Sequence, residues 1–188
     1  LAAGGRVQMT AQQASAIVDN AINMSGVVRA QSAYVDRNGD IVLDAGPNGN
    51  VVVSGTLDVS GRGAGQTGGN VTVRSAKNVM VAQTGTIDAS GMAGGGKVTV
   101  TAGGLVENAG KVLAQGGTAK GGNASLSGHA VMNVGTIDVG GAQGGTVNVN
   151  ATNVMNSGQI LATGEQGKGG SVAIVFANQY LDADSAVV

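Results

Sequence analysis

An apolar–x–apolar triplet recurs seven times along the chain, each time one residue after a pair of small turn residues. The triplets are Val7–Met9, Ile41–Leu43, Val71–Val73, Val98–Val100, Ala124–Leu126, Val147–Val149 and Val172–Ile174. Gly68-Gly69, Gly95-Gly96, Gly121-Gly122, Gly144-Gly145 and Gly169-Gly170 precede five of them, and Gly4-Gly5 a sixth; Asn38-Gly39 stands ahead of Ile41. Alternation with period two predicts strands with one buried face.

A second phrase lies between the triplets. It reads Gly-Thr-Leu-Asp-Val at 55–59, Gly-Thr-Ile-Asp-Ala at 85–89 and Gly-Thr-Ile-Asp-Val at 135–139, with looser copies at 26–30, 110–114 and 158–162 and a shortened one at 185–188. Its central apolar residues are Val28, Leu57, Ile87, Val112, Ile137, Ile160 and Val187, spaced 23 to 30 residues apart. A third apolar position falls four residues before each phrase: Ile22, Val51, Val81, Val106, Val131, Val154 and Leu181. Three short alternating segments in each repeat of this length are too short for a sandwich. They suit one rung of a parallel β-helix, in which each strand pairs with its counterpart one coil later. The sequence therefore predicts an all-β solenoid of about seven coils with three strands per coil, a rod about 34 Å long at the usual strand spacing. Glycines at the corners are expected to supply positive φ.

Composition narrows the function classes. The chain holds 35 glycines in 188 residues, only 2% aromatics and 11% charged residues, no cysteine and one proline. So few large side chains would struggle to fill a globular core, whereas a thin core of valine and isoleucine is easily filled. Glycine does not fall at every third position, which excludes collagen. The abundance of valine argues against disorder. A disulfide framework or thiolate metal centre needs cysteine. No apolar run is long enough for a membrane span. A net charge of −1 excludes a broad nucleic-acid footprint.

The repeat also predicts details. Asn108, Asn133 and Asn156 occupy one position in three consecutive coils, and stacked amides there can bond along the rod axis as an inward ladder. Coil 1 is longer: Thr10 and Gln13 are spaced as a capping box, and Ala14, Ile17 and Val18 recur at helical spacing, which predicts a short helix over 11–20 packed outside a corner. In coil 2, Tyr34-Val35 followed by Asp36-Arg37-Asn38-Gly39 reads as an apolar anchor and a turn. The chain opens at Leu1 without a signal-peptide pattern and closes at Val188 within a strand copy. We expect one β-helix segment, 1–188, of a longer protein, both ends being cut points rather than natural caps.

Candidate chemistry is sparse. Asp58, Asp88 and Asp138 share an outward position in the third strand, with Arg29 one coil earlier. Neighbouring carboxylates on a β-helix raise polysaccharide cleavage, because glycosidases use two such groups; a surface cation bridging Asp58 and Asp88 is another reading. Leu113 interrupts the row, and the repeat places no His, Arg or Lys among the acids, so we expect solvated or turn-bonding aspartates and no catalytic residue, cofactor or metal. His129, the only histidine, has no repeat-equivalent partner and reads as a surface or corner residue. The Gly-Gly pairs precede strands, not the helix a phosphate loop needs. Asp36–Asp40 resembles a cation loop only in part. Thr72, Thr99 and Ser125 form an outward hydroxyl row continued by Asn148, which suits ordinary solvent-facing positions or a sugar- or ice-binding strip. Met132 and Met155 align outward with Val52 and Ala82, as an apolar stripe that either meets a partner or is covered by a flanking segment.

Three phrases taken in order resemble the filamentous haemagglutinin family of secreted exoproteins: Gly4–Thr10 with the Ala-rich stretch and Ile22–Ala30; Asn38–Gly46; and Gly-Thr-Leu/Ile-Asp-Val/Ala-Ser/Gly-Gly with its Gly-rich turn. The resemblance implies a right-handed parallel β-helix in a Gram-negative two-partner-secretion protein, in the region following the secretion domain. It implies export through a dedicated outer-membrane transporter, engaged by an N-terminal domain outside this chain. Absence of cysteine fits passage through an oxidising periplasm. The expected function is a structural and adhesive rod segment of a secreted or surface-displayed adhesin, monomeric, with a host-cell glycan or protein receptor and no enzymatic activity. The alternatives are a polysaccharide-acting β-helix enzyme and the stalk of a toxin-delivery exoprotein.

Overall fold

The computed structural model describes residues 6–10, 22–24, 27–29, 39–183 and 187. Every regular element among them is a strand, and every pairing between strands is parallel. The expected helix over 11–20 and the Tyr34-Val35 anchor lie outside the described residues.

The strands form three stacks. The first contains β1 (Arg6–Thr10), β4 (Asp40–Asp44), β7 (Asn70–Ser75), β10 (Lys97–Ala102) and the first halves of β13 (Asn123–Asn133), β16 (Thr146–Asn156) and β19 (Ser171–Asp182). The second contains β2 (Ile22–Met24), β5 (Val51–Val53), β8 (Val79–Val81), β11 (Leu105–Asn108) and the second halves of β13, β16 and β19. The third contains β3 (Val27–Arg29), β6 (Thr56–Asp58), β9 (Thr86–Asp88), β12 (Lys111–Leu113), β14 (Thr136–Asp138) and β17 (Gln159–Leu161). A small sheet of β15 (Gly141–Gln143) and β18 (Gly164–Lys168) lies beyond the third stack. Five turns are complete, from β4 to β17, with β1–β3 before them and β19 after them. This is a parallel β-solenoid.

The first-strand triplets stack in the expected register, Ile41 on Val71, Val71 on Val98, Val98 on Ala124 and Ala124 on Val147. The third strand does the same through Leu57, Ile87, Val112, Ile137 and Ile160. All of these are buried. Burying a Val, Leu or Ile side chain stabilises by roughly 1.5–3 kcal/mol, so the columns themselves hold the rod.

Three expectations are corrected. In the second strand the column runs Val51, Val79, Val106, Val131, Val154 and Tyr180, so Val79 rather than Val81, and Tyr180 rather than Leu181, hold the equivalent positions. Coil 3 has a longer turn, Ala82–Gly85, before its third strand, which moves the strand back by two residues; β19 carries an irregularity opposite Ala151–Asn153. The outward row is therefore Val52, Met80, Glu107, Met132, Met155 and Leu181, and Ala82 is not part of it. Val187 is in register with Gln159 rather than with Ile160, whose N–H donates to the Val187 carbonyl at 2.7 Å, and its side chain is exposed.

The Gly-Gly corners have a different cause from the one expected. The described glycines with positive φ are Gly46, Gly65, Gly94 and Gly167, and of the described Gly-Gly pairs before the triplets none is among them. A Cβ on Gly96 would fall on the carbonyl oxygen of Gly69, and one on Gly122 on that of Gly96. Consecutive coils approach there so closely that only hydrogen fits.

Candidate functional site

Beyond the third stack the chain turns outward through a recurring Gly placed three residues after the phrase's outward position. Gly61 bridges to Gly91 and Gly91 to Gly116, and Gly141 pairs with Gly164. These form a further ladder at the corner. Along it runs an open groove of about 400 Å³, lined by Arg62, Asp88, Gln115, Asp138, Thr163 and Glu165 from successive coils.

The acid row lies in register as expected: Asp58 on Asp88, Leu113 between Asp88 and Asp138, and the Arg29 backbone beside that of Asp58. Its geometry is that of turn-bonding residues. The Ser60, Ser90 and Gly140 N–H groups donate to the Oδ1 atoms of Asp58, Asp88 and Asp138 at 3.0, 2.9 and 2.8 Å. Asp58 is not solvated: it is 1% exposed and also accepts from the Ser60 hydroxyl at 2.6 Å. A bridging cation is present as a side chain. One Arg62 nitrogen lies 3.5 Å from Asp58 and 3.7 Å from Asp88, while Arg62 Nε donates to Ser60 Oγ at 2.9 Å. Asp138 is joined to the neighbouring coil by Gln115, whose Nε2 donates to Asp138 Oδ2 at 2.6 Å. The described residues hold no cluster of three or more His, Cys, Asp or Glu side chains suited to a metal ion.

The Asn ladder is inward and buried. Asn108 Nδ2 donates to Asn133 Oδ1 and Asn133 Nδ2 to Asn156 Oδ1, both at 2.8 Å. Asn108 and Asn133 also reach the Thr136 and Gln159 carbonyls at 3.3 and 3.4 Å. The run continues into Asp182, whose Oδ1 accepts from Asn156 at 3.1 Å. Asp182 was missed because the coil 7 irregularity hides its equivalence.

The remaining candidates are dispersed. Thr72, Thr99, Ser125 and Asn148 stand side by side on the first face, all half-buried. Met132 is half-buried and Met155 exposed, with Glu107 interrupting the row above them. His129 is exposed at the bend of β13, between the paired residues Gly128 and Ala130. Of the Asp36–Asp40 loop only Gly39 and Asp40 are described, and Asp40 accepts from Asn70 Nδ2 at 2.8 Å. No helix among the described residues is long and apolar enough to cross a membrane.

The groove, too, was not revealed by sequence spacing. Its signal was available in the recurring Gly of Asp58–Gly61, Asp88–Gly91, Leu113–Gly116, Asp138–Gly141 and Leu161–Gly164. Comparison with protein-family models, curated proteins and solved structures finds no match to the chain.

Proposed function

We propose that the chain is a structural and adhesive rod: part of the shaft of a secreted or surface-displayed bacterial adhesin of the filamentous haemagglutinin kind, exported by two-partner secretion and supporting attachment to host cells or surfaces. The observation that carries the proposal is the solenoid itself. Five complete turns stack without interruption, with each buried column continuous from coil to coil. Such a shaft holds binding surfaces at a distance, and its mechanism is stacking rather than bond-making. The side chains support that division. The carboxylates of the acid row, Asp58, Asp88 and Asp138, are engaged in turn bonds, in the Arg62 ion pairs and in the Gln115 bond.

The test is binding of the purified, monomeric chain to epithelial cells, with free glycans as competitors. Saturable binding blocked by one sugar class is the expected result. A folded, β-rich sample that does not bind reduces the chain to a spacer and overturns the adhesive half of the proposal.

A further inference from the structure

We propose that the corner groove binds a linear, uncharged glycan laid along the rod axis, one sugar ring per coil. The proposal rests on the adhesive role proposed above and gives it a site.

Shape comes first. The groove is open along its length and follows the axis through five successive coils, from Arg62 to Glu165. Gly61, Gly91, Gly116 and Gly141 are among its lining residues and put no side chain into it; a Cβ on any of them would collide with backbone of the adjoining turns and coils, so no larger residue fits there.

Period decides the kind of chain. The coils that line the groove repeat at a step of about 4.8 Å, and their polar side chains meet in pairs across that step, Arg62 with Asp88 and Gln115 with Asp138. A pyranose ring in an extended glycan is about as long as one coil is high, so one ring falls at each coil. An extended peptide advances about 3.3 Å per residue, so its residues do not fall one per coil.

Hydrogen-bonding capacity and charge decide the kind of sugar. A hydroxyl both donates and accepts, and the groove offers both functions. Arg62 has five N–H donors, Gln115 a carbonyl oxygen and two donors, and each carboxylate about four acceptor positions. Arg62 is bonded to Ser60 and paired with Asp88, and Gln115 is bonded to Asp138, so these side chains need little further ordering on binding. The carboxylates of Asp88, Asp138 and Glu165 face a single cation among the described lining residues, Arg62, which already pairs with Asp58 and Asp88. Sulfated, uronic or sialylated chains would be repelled. Met92, exposed along one wall, supplies an apolar contact for a ring face.

The test is calorimetric titration of the whole chain with neutral tetrasaccharides of β-1,4-linked glucose and N-acetylglucosamine, a heparin-derived tetrasaccharide and a pool of extended peptides. Saturable binding of a neutral tetrasaccharide is expected, weakened roughly tenfold by Gln115→Ala and abolished by Thr163→Trp, which fills the groove; circular dichroism checks that both variants are folded. Preference for heparin or peptide, no neutral binding by folded protein, or binding indifferent to both substitutions would overturn the proposal. Cell attachment without tetrasaccharide binding removes the glycan groove and leaves the adhesive role; tetrasaccharide binding without cell attachment does the reverse.

Discussion

The Nδ2 of Asn108 donates across one coil to the Oδ1 of Asn133, while the Oδ1 of Asn108 is buried without a partner. The residue beside Asn108 in the preceding coil is Val81, which has no donor to offer. The ladder therefore has a direction, with an unsatisfied oxygen at one end and the Asp182 carboxylate at the other. Asn133→Ala should destabilise by about 1–3 kcal/mol, because it strips both an acceptor from Asn108 and a donor from Asn156. Asn108→Val should cost less, since it removes the unsatisfied oxygen along with the bonds to Asn133 and the Thr136 carbonyl. Urea unfolding of both variants checks the order; equal losses would contradict a directional ladder.

Gly65 and Gly122 separate the two uses of glycine. Gly65 has a φ of 75° and open space around it, and Asn tolerates that conformation. Gly65→Asn should leave stability nearly unchanged. Gly122→Asn places a Cβ on the backbone of the coil below and should cost about 3 kcal/mol or prevent folding. Thermal melts of the pair distinguish coil contact from dihedral strain.

Arg62 is 68% exposed but holds the 1% exposed Asp58. Its removal should cost about 1–2 kcal/mol, between the values of a solvated pair and a buried one. Asp58→Asn keeps the acceptor for Ser60 and removes the charge. If Arg62 acts by neutralising Asp58, adding Asp58→Asn to Arg62→Ala should recover part of the loss in a urea titration. No recovery would assign the cost to packing of the Arg stem.

Tyr180 should ionise above its ordinary pKa of 10.0, first because of partial burial, then because of its hydrogen bond to Asp182 and that residue's charge. The native state then holds the phenolic proton more tightly than the unfolded chain. This contribution to stability is present below pH 10.0 and is lost as pH rises through the native pKa. Absorbance titration of a Tyr34→Phe protein isolates the Tyr180 phenol. Asp182→Asn should shift its midpoint down; an unmoved midpoint would mean that Asp182 does not act on it.

The first and third stacks were legible in the sequence because glycines fix their phase. Gly-Gly sets Val71, Val98 and Val147, and Gly-Thr sets Leu57, Ile87 and Ile137. The second stack has no such marker. Val79 and Val81 are both buried, so apolar pattern alone could not choose between them. The Asn ladder was legible because a buried amide stands out among valines. The groove was not, because the glycines along it carry no side chains and its walls come from turns of unequal length. Arg62 follows no repeat-equivalent cation, so only coordinates bring it between Asp58 and Asp88.

The hydrogen bonds between coils run along the rod, as in the Val59 N–H to Asp88 carbonyl bond of 2.8 Å or the Gly116 N–H to Gly140 carbonyl bond of 2.8 Å. A pull on the two ends therefore loads the rungs in series. The weakest rung bears the same tension as the strongest and opens alone. Each opened coil pays out roughly 80–100 Å of chain, and the neighbours stay closed until the slack is used. Such a shaft yields in steps and lengthens under load before it lets go.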